Sequence, residues 1–383
     1  MSSNDALYTR LFEKLRVFHP DEHLRRITNW VWIVVGLIQS HSVHLSEIAQ
    51  HIPSEAQAAG RIAQVRRWLA NKFIKVDEFY RPLITQAIQE WQGKDVFIML
   101  DGCGVNHEKL QFFRMSLSHC YRALPLAWMV IAGAGLVQVE ACAPLFKQVL
   151  QVLPAVASVT FLADRGFRDT DWAEKCLELG WNYLIRVANN TYVTLADGRQ
   201  VSIEHLGVPR GRSRYFTKVQ LTKGKAFECN LMVTWTTPKK PGEKAELCAI
   251  MTNLRPCHLH LKWYLKRMHV EESFRDDKSG SFNLEATKLR DPERLNHLLL
   301  AVAVAVLWIY EIGEQLIRNG ERTEIDPGYK RQLSVFQIGR RKLQRAFNCG
   351  KTLLFNLRLR PFRLEPVFKK CWLLGAGTPD RRG

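Results

Sequence analysis

The chain has 383 residues, 46% hydrophobic and 24% charged, the balance of a globular protein, which excludes a mostly disordered chain, a collagen-like repeat and a coiled-coil rod. The length predicts about two to three domains. Lys and Arg number 55 against 37 Asp and Glu, a formal net charge of +18, and a field of that sign draws polyanions: nucleic acid first, an acidic membrane surface second.

Residues 1–90 read as helical. Leu45, Ile48, Ala49 and Ile52 fall at helical spacing, and Pro53 ends that helix. Ser54-Glu55-Ala56-Gln57 has the form of a capping box for the next one. There Ile62, Val65 and Leu69 line one face, with Arg61, Arg66 and Arg67 elsewhere on the surface. Short helix, turn and basic helix is a helix-turn-helix pattern that makes the three arginines candidate DNA contacts. A plain solvated face is the competing reading.

The pattern changes near residue 95. Val96–Leu100 is a continuous apolar run, as expected of a buried strand, ending at Asp101-Gly102. Arg114–Ser118, which alternates in polarity, and Trp128–Ala132 are further strand candidates, and Ala141–Val152 reads as a helix. Val159–Ala163 is a second apolar strand, ending at Asp164-Arg165-Gly166. A helix follows over Asp171–Leu179, stopped by Gly180, then a strand over Tyr183–Val187. Strands alternating with helices argue for an α/β layer structure. From 188 to 261 the chain reads as β-rich, with a hairpin around Asp197-Gly198 and strands near 214–221, 228–235 and 245–252. Helix returns at Lys262, and Leu295–Leu316 is a long apolar helix. Between Pro327 and Trp372 stand twelve basic residues and one acid, Glu365.

The longest apolar run, Leu298–Tyr310, has thirteen residues; a membrane span needs about 20. It reads as buried core, so no membrane is expected and the charge points to nucleic acid. The nine cysteines form no Cys-x-x-Cys pair. Scattered thiols suit a reducing compartment, the cytoplasm. Met1–Lys14 is polar and mixed in charge, so no secretory signal is expected.

Asp101 and Asp164 each follow a buried strand, where ligands gather in open α/β sheets. Two carboxylates held there repel and call for a cation, and oxygen-only ligation suits Mg²⁺ or Mn²⁺. The alternative is that each is a turn or cap residue. Tyr264, Arg267, Glu271 and Lys278, spaced by three, four and seven, fall in a narrow stripe of one helix face, which Arg275 joins. An acid among cations and a tyrosine fits a metal-bound carboxylate beside phosphates. A salt-bridged helix face remains open, and Glu272, about 100° away, is the poorer candidate.

These residues carry a resemblance. Asp101-Gly102-Cys103, Leu162-Ala163-Asp164-Arg165-Gly166-Phe167, and Tyr264-x-x-Arg267-x-x-x-Glu271-x-x-x-x-x-x-Lys278 with the text from Ser273 to Thr287 resemble a bacterial DDE transposase of the insertion-sequence-4 type and its Tyr-Arg-Glu-Lys signature. The likeness spans roughly residues 20–345. It implies an α/β fold: an RNase H-like catalytic core, a mixed sheet with flanking helices, over 91–187 plus 262–318. A β-rich insertion over 188–261 interrupts it. A helical DNA-binding domain over 1–90 precedes it, and a basic tail over 319–383, for DNA or dimer contact, follows.

The resemblance further implies Asp101, Asp164 and Glu271 as catalytic, metal-binding acids holding two Mg²⁺ or Mn²⁺ ions per site. The substrates would be double-stranded DNA at terminal inverted repeats and target DNA. Cutting and joining would pass through a DNA hairpin, with a homodimer acting on paired ends. Tyr264, Arg267 and Lys278 would hold backbone phosphates, Trp235 would stack on a flipped base, and Arg275 joins them by helix geometry. Lys239-Lys240 and Arg210-Arg212-Arg214 would track DNA. The competing reading is an inactive or repurposed sequence-specific DNA-binding protein.

Overall fold

The computed structural model describes residues 3–133, 135, 137–222, 226–237, 242, 244–351, 353–362 and 364. The amino-terminal part is helical, as its periodicity predicts: α1 (Ser3–Phe18), α2 (Leu24–Ser40), α3 (Leu45–Gln50), α4 (Ala58–Leu69) and α5 (Val76–Ala87). The α3–turn–α4 arrangement forms, but not the capping box. Helix α4 starts at Ala58, and its N-cap Gln57 makes no side-chain cap bond. The Ser54 hydroxyl instead accepts from the Ala56 N–H at 3.2 Å. Arg61 braces the same turn, donating to the Ser54 and Ala56 carbonyls at 3.2 and 2.8 Å.

The core follows with β1 (Asp95–Val105), β2 (Leu110–His119), β3 (Arg122–Ala132), α6 (Ala143–Val152), β4 (Ser158–Ala163), α7 (Thr170–Glu178) and β5 (Asn182–Val187). Strands β1, β2 and β3 pair antiparallel, whereas β4 lies parallel to both β1 and β5. This mixed sheet with flanking helices agrees with the expected RNase H-like core. The alternation read over Arg114–Ser118 misleads: every residue from Phe112 to Leu117 is buried. Two polar residues among them, Arg114 and Ser116, face protein rather than water.

The β-rich stretch holds β6 (Tyr192–Thr194), β7 (Gln200–Ser202), β8 (Arg214–Thr222), β9 (Phe227–Trp235) and β10 (Leu247–Thr252). The hairpin turns at Gly198, whose φ of +82° suits a residue without Cβ. This stretch is not a separate sheet. Strand β10 pairs antiparallel with β5, giving one ten-stranded sheet of order β3-β2-β1-β4-β5-β10-β9-β8-β6-β7.

Helices α8 (His258–Tyr264) and α9 (Met268–Arg275) carry the chain back, and α10 (Pro292–Arg318) crosses the core. Pro292 opens α10 and the Asp291 carboxylate caps it, accepting from the Arg294 N–H at 3.0 Å. By length and composition α10 could cross a membrane, yet 94% of its most apolar window is buried within the protein. His297 ties it to the amino-terminal helices through the Leu69 and Ile74 carbonyls, at 2.7 and 3.0 Å.

The described part of the basic tail is packed on the core. Helix α11 (Val335–Asn348) opens with a Ser334/Gln337 capping box. It crosses α10 where Gly339 meets the Ile309 carbonyl so closely that a Cβ would stand 1.9 Å from its oxygen. Beyond it, residues 353–362 form a strap over α10. The buried Glu311 carboxylate accepts the N–H groups of Asn356, Leu357 and Arg358, and Glu314 accepts that of Arg360. The basic residues Arg363, Lys369 and Lys370 lie outside the described residues, as do Lys239 and Lys240.

Candidate active site

The register of β1 with β4 runs from Asp95↔Ser158 to Met99↔Leu162. Continued by two residues, it sets Asp101 beside Asp164, on strands about 4.8 Å apart. Each carboxylate is fixed by one oxygen. Asp101 Oδ1 accepts from the Gly102 N–H at 2.8 Å, and Asp164 Oδ1 caps the 3₁₀ turn Arg165–Phe167 by accepting from the Gly166 N–H at 2.8 Å. Asp164 is thus a cap residue as well, so the bland reading holds as far as it goes. Its Oδ2 has no hydrogen-bond or ion-pair partner among the described residues.

Glu271 comes from α9, which packs against β1, β2 and β3. Between Asp101 and Glu271 lies Arg267. Its Nη1 stands 3.6 Å from Asp101 Oδ2, and its Nη2 forms an ion pair with Glu271 Oε1. Burial pushes the Asp101 carboxyl up to about 6, opposed by Arg267 and the Gly102 N–H and reinforced by the charges of Asp164 and Glu271. All three acids therefore act within one electrostatic neighbourhood.

The helical stripe holds from Tyr264 to Glu271 and breaks before Lys278. A 3₁₀ turn over Leu265–Arg267 separates α8 from α9, and a wider π turn over Asp276–Gly280 follows. Tyr264, Arg267 and Glu271 keep to the side of the acids, and Lys278, past the π turn, pairs elsewhere. Tyr264, expected on a DNA phosphate, is buried at 2% exposure, and its hydroxyl donates to the Ala163 carbonyl at 3.3 Å. It braces the strand end that carries Asp164. Arg267, also expected on phosphate, is 7% exposed and pairs with two of the acids. Lys278 leaves helical geometry, with ψ −113°, and its Nζ pairs with Glu285 at 2.6 Å. Arg275 is exposed and pairs with Glu272 at 2.9 Å, off the site.

Trp235 ends β9 on the same edge of the sheet as Asp164, three strands away. Its Nε1 donates to the Val208 carbonyl at 2.9 Å, and the Arg210 guanidinium stands 5.4 Å from its ring centroid. Arg66 and Arg67 are exposed on α4, whereas Arg61 is engaged in the turn before it.

The sequence reading passed over the buried polar contacts that hold α9. Arg114 pairs with Asp277 at 2.6 Å and Arg122 with Asp276 at 2.5 Å. The Ser273 hydroxyl accepts from the Ala123 N–H at 2.7 Å, and Ser118 bonds His269 at 2.8 Å. The signal was there: polar residues at strand positions flanked by apolar ones, with two adjacent acids after the Glu271 helix.

The donor set is all carboxylate oxygen, which suits Mg²⁺ or Mn²⁺. Asp101 and Asp164, anchored by one oxygen each at matched levels of adjacent strands, fit such an ion. Among the described residues, however, no three His, Cys, Asp or Glu side chains are grouped closely enough to hold one. Glu271 is engaged by Arg267 instead.

No curated protein matches the chain. Residues 140–308 match the family model of the transposase DDE domain, a stretch that includes Asp164 and Glu271 but begins after Asp101. Over that stretch the chain is similar to the DDE domain of transposases, enzymes that cut DNA and join its ends, and the match supports a DDE transposase.

Proposed function

We propose that the protein is a transposase that cuts DNA at the ends of a mobile element and joins them to target DNA, with Asp101, Asp164 and Glu271 as its catalytic acids. What supports this reading is the β1–β4 register, which continued by two residues sets Asp101 level with Asp164, together with the link from Asp101 to Glu271 through Arg267. Asp101 and Asp164 would hold divalent ions through the oxygens that the backbone leaves free, and Glu271 would complete the set. Bound there, two Mg²⁺ or Mn²⁺ ions supply an activated nucleophile and stabilise the leaving oxygen.

The remaining work falls to the chain itself. Tyr264 steadies the strand end behind Asp164. Arg267, once released from the acids, reaches a backbone phosphate, and Lys278 stands at the end of the same segment. Arg66 and Arg67 of α4 and the Arg210–Trp235 pair extend the basic surface along double-stranded DNA. A hairpin intermediate, base stacking on Trp235, a homodimer on paired ends and action in the cytoplasm belong to the same reading.

The competing reading, a DNA-binding protein without catalysis, draws on the Arg267–Glu271 pair, which satisfies Glu271 without a metal. Mg²⁺-dependent nicking of end-bearing DNA separates the two. Asp101→Asn, Asp164→Asn and Glu271→Gln should each reduce nicking by about 10³-fold or more, the several kcal/mol of metal-borne charge stabilisation, while DNA binding persists. Near-wild-type nicking by any one removes that residue from the site; no nicking by the unaltered protein supports the binding-only reading.

A further inference from the structure

A buried cation lies where a metal ion would have to enter. Arg267 is 7% exposed and sits at the joint between α8 and α9. The Asp101 oxygen it faces, Oδ2, is the one not bound by the Gly102 N–H, so a guanidinium and a metal ion seek the same atom. Its other acidic contact is Glu271, four residues on. Among the described residues it forms no ion pair with any other acid. If a metal ion takes Asp101 and Glu271, the guanidinium meets a like charge and loses both anionic partners at once. With Asp164 also given to the metal, none of the three acids is left for it, and the anion that replaces them must come from outside. Glu271, with its side chain 36% exposed against 17% for Asp101, marks the open side of the cluster.

We propose that Arg267 is a resident counter-cation that holds the ion-free site closed: it competes with the metal for Asp101 and Glu271, and an arriving DNA phosphate draws it off and so tightens metal binding. This rests on the metal-binding role of the acids under Proposed function. By thermodynamic reciprocity, metal binding tightens DNA binding by the same factor. The site would then reach full metal occupancy only on DNA, which guards a nuclease against cutting before its substrate is engaged.

The test is direct titration of Mn²⁺ into the full chain, with bound and free ion read by electron paramagnetic resonance, with and without a short blunt DNA duplex. Without DNA, Arg267→Gln should bind Mn²⁺ more tightly than the unaltered protein, by about 5- to 150-fold, the usual range of such linkages. The duplex should tighten Mn²⁺ binding to the unaltered protein by a similar factor and leave Arg267→Gln unchanged. Arg267→Lys, whose single ammonium cannot span both acids, should fall between. Equal or weaker Mn²⁺ binding by folded Arg267→Gln overturns the proposal. So does an unaltered protein whose Mn²⁺ affinity ignores DNA, a result that needs no variant to fold. Asp101→Asn separates the two levels. If it abolishes Mn²⁺ binding while Arg267→Gln matches the unaltered protein, only the counter-cation role fails. If no form binds Mn²⁺, the metal site itself fails, and this inference with it.

Discussion

At Asp101, burial and two neighbouring carboxylates oppose ionisation while Arg267 and the Gly102 N–H favour it, and the balance leaves the group at about 6. A carboxyl whose pKa is raised by folding favours the folded state most when protonated. Its contribution is present below about 4 and is lost as pH climbs through about 6. Up to about 3 kcal/mol is involved for a shift of this order. Urea unfolding in EDTA should therefore show a component of stability that falls between about pH 4 and pH 6 in the unaltered protein and is missing from Asp101→Asn; identical pH profiles would contradict it. Asp101 and Asp164 stand out in the chain because each follows an apolar run that forms a buried strand, although β1 continues past Asp101 to Val105. The Arg267–Glu271 pair, at i,i+4, is the salt-bridged helix face that the spacing left open. The contact of Arg267 with Asp101 was not readable, because that depends on how α9 packs against β1. The burial of Tyr264 and its bond to the Ala163 carbonyl were not readable either, because they depend on a strand end 101 residues earlier in the chain.

Helix α9 brings Glu271 to the site, and buried polar contacts fasten that helix to β2 and β3. The Arg114–Asp277 pair is the most enclosed of them, with side-chain exposures of 5% and 4%. Arg114 already leaves Nε and Nη2 without hydrogen-bond partners, although its guanidinium also lies 4.5 Å from the Phe274 ring centroid. Asp277→Ala would strand a buried charge, at a cost of about 3–5 kcal/mol. Chemical denaturation measures that loss directly, and a change under about 1 kcal/mol would show that the pair is not what secures the helix. The elements themselves followed from apolar runs and turn residues, from β1 through the Gly198 hairpin to α10. Their edges moved because packing outlasts the pattern: β1 continues from Leu100 to Val105 by pairing with β2. Strand β2 looked half-exposed because buried arginine and serine mimic a solvent face when their partners lie far along the chain.

Across the whole molecule, one ten-stranded sheet joins the acidic site to the β-rich stretch, so Trp235 and Arg210 share an edge with Asp164 instead of sitting on a detached module. The order of layers was foreseen; the continuity was not, because the pairing of β10 with β5 brings together segments some sixty residues apart that carry no mutual signal in sequence. By its charge the basic tail was expected to contact DNA or a second subunit. Its apolar residues dock α11 on α10, and the strap beyond it is held through backbone N–H groups that any residue type supplies. The central claim is that acids distant in sequence share divalent ions where β1 runs past the end of β4. Anomalous scattering from Mn²⁺ in crystals of the protein bound to DNA tests it most directly. The account predicts manganese peaks in contact with the carboxylates of Asp101 and Asp164, with Glu271 turned from Arg267 toward them. Manganese bound elsewhere, or absent while Arg267 still bridges Asp101 and Glu271 on DNA, would contradict it.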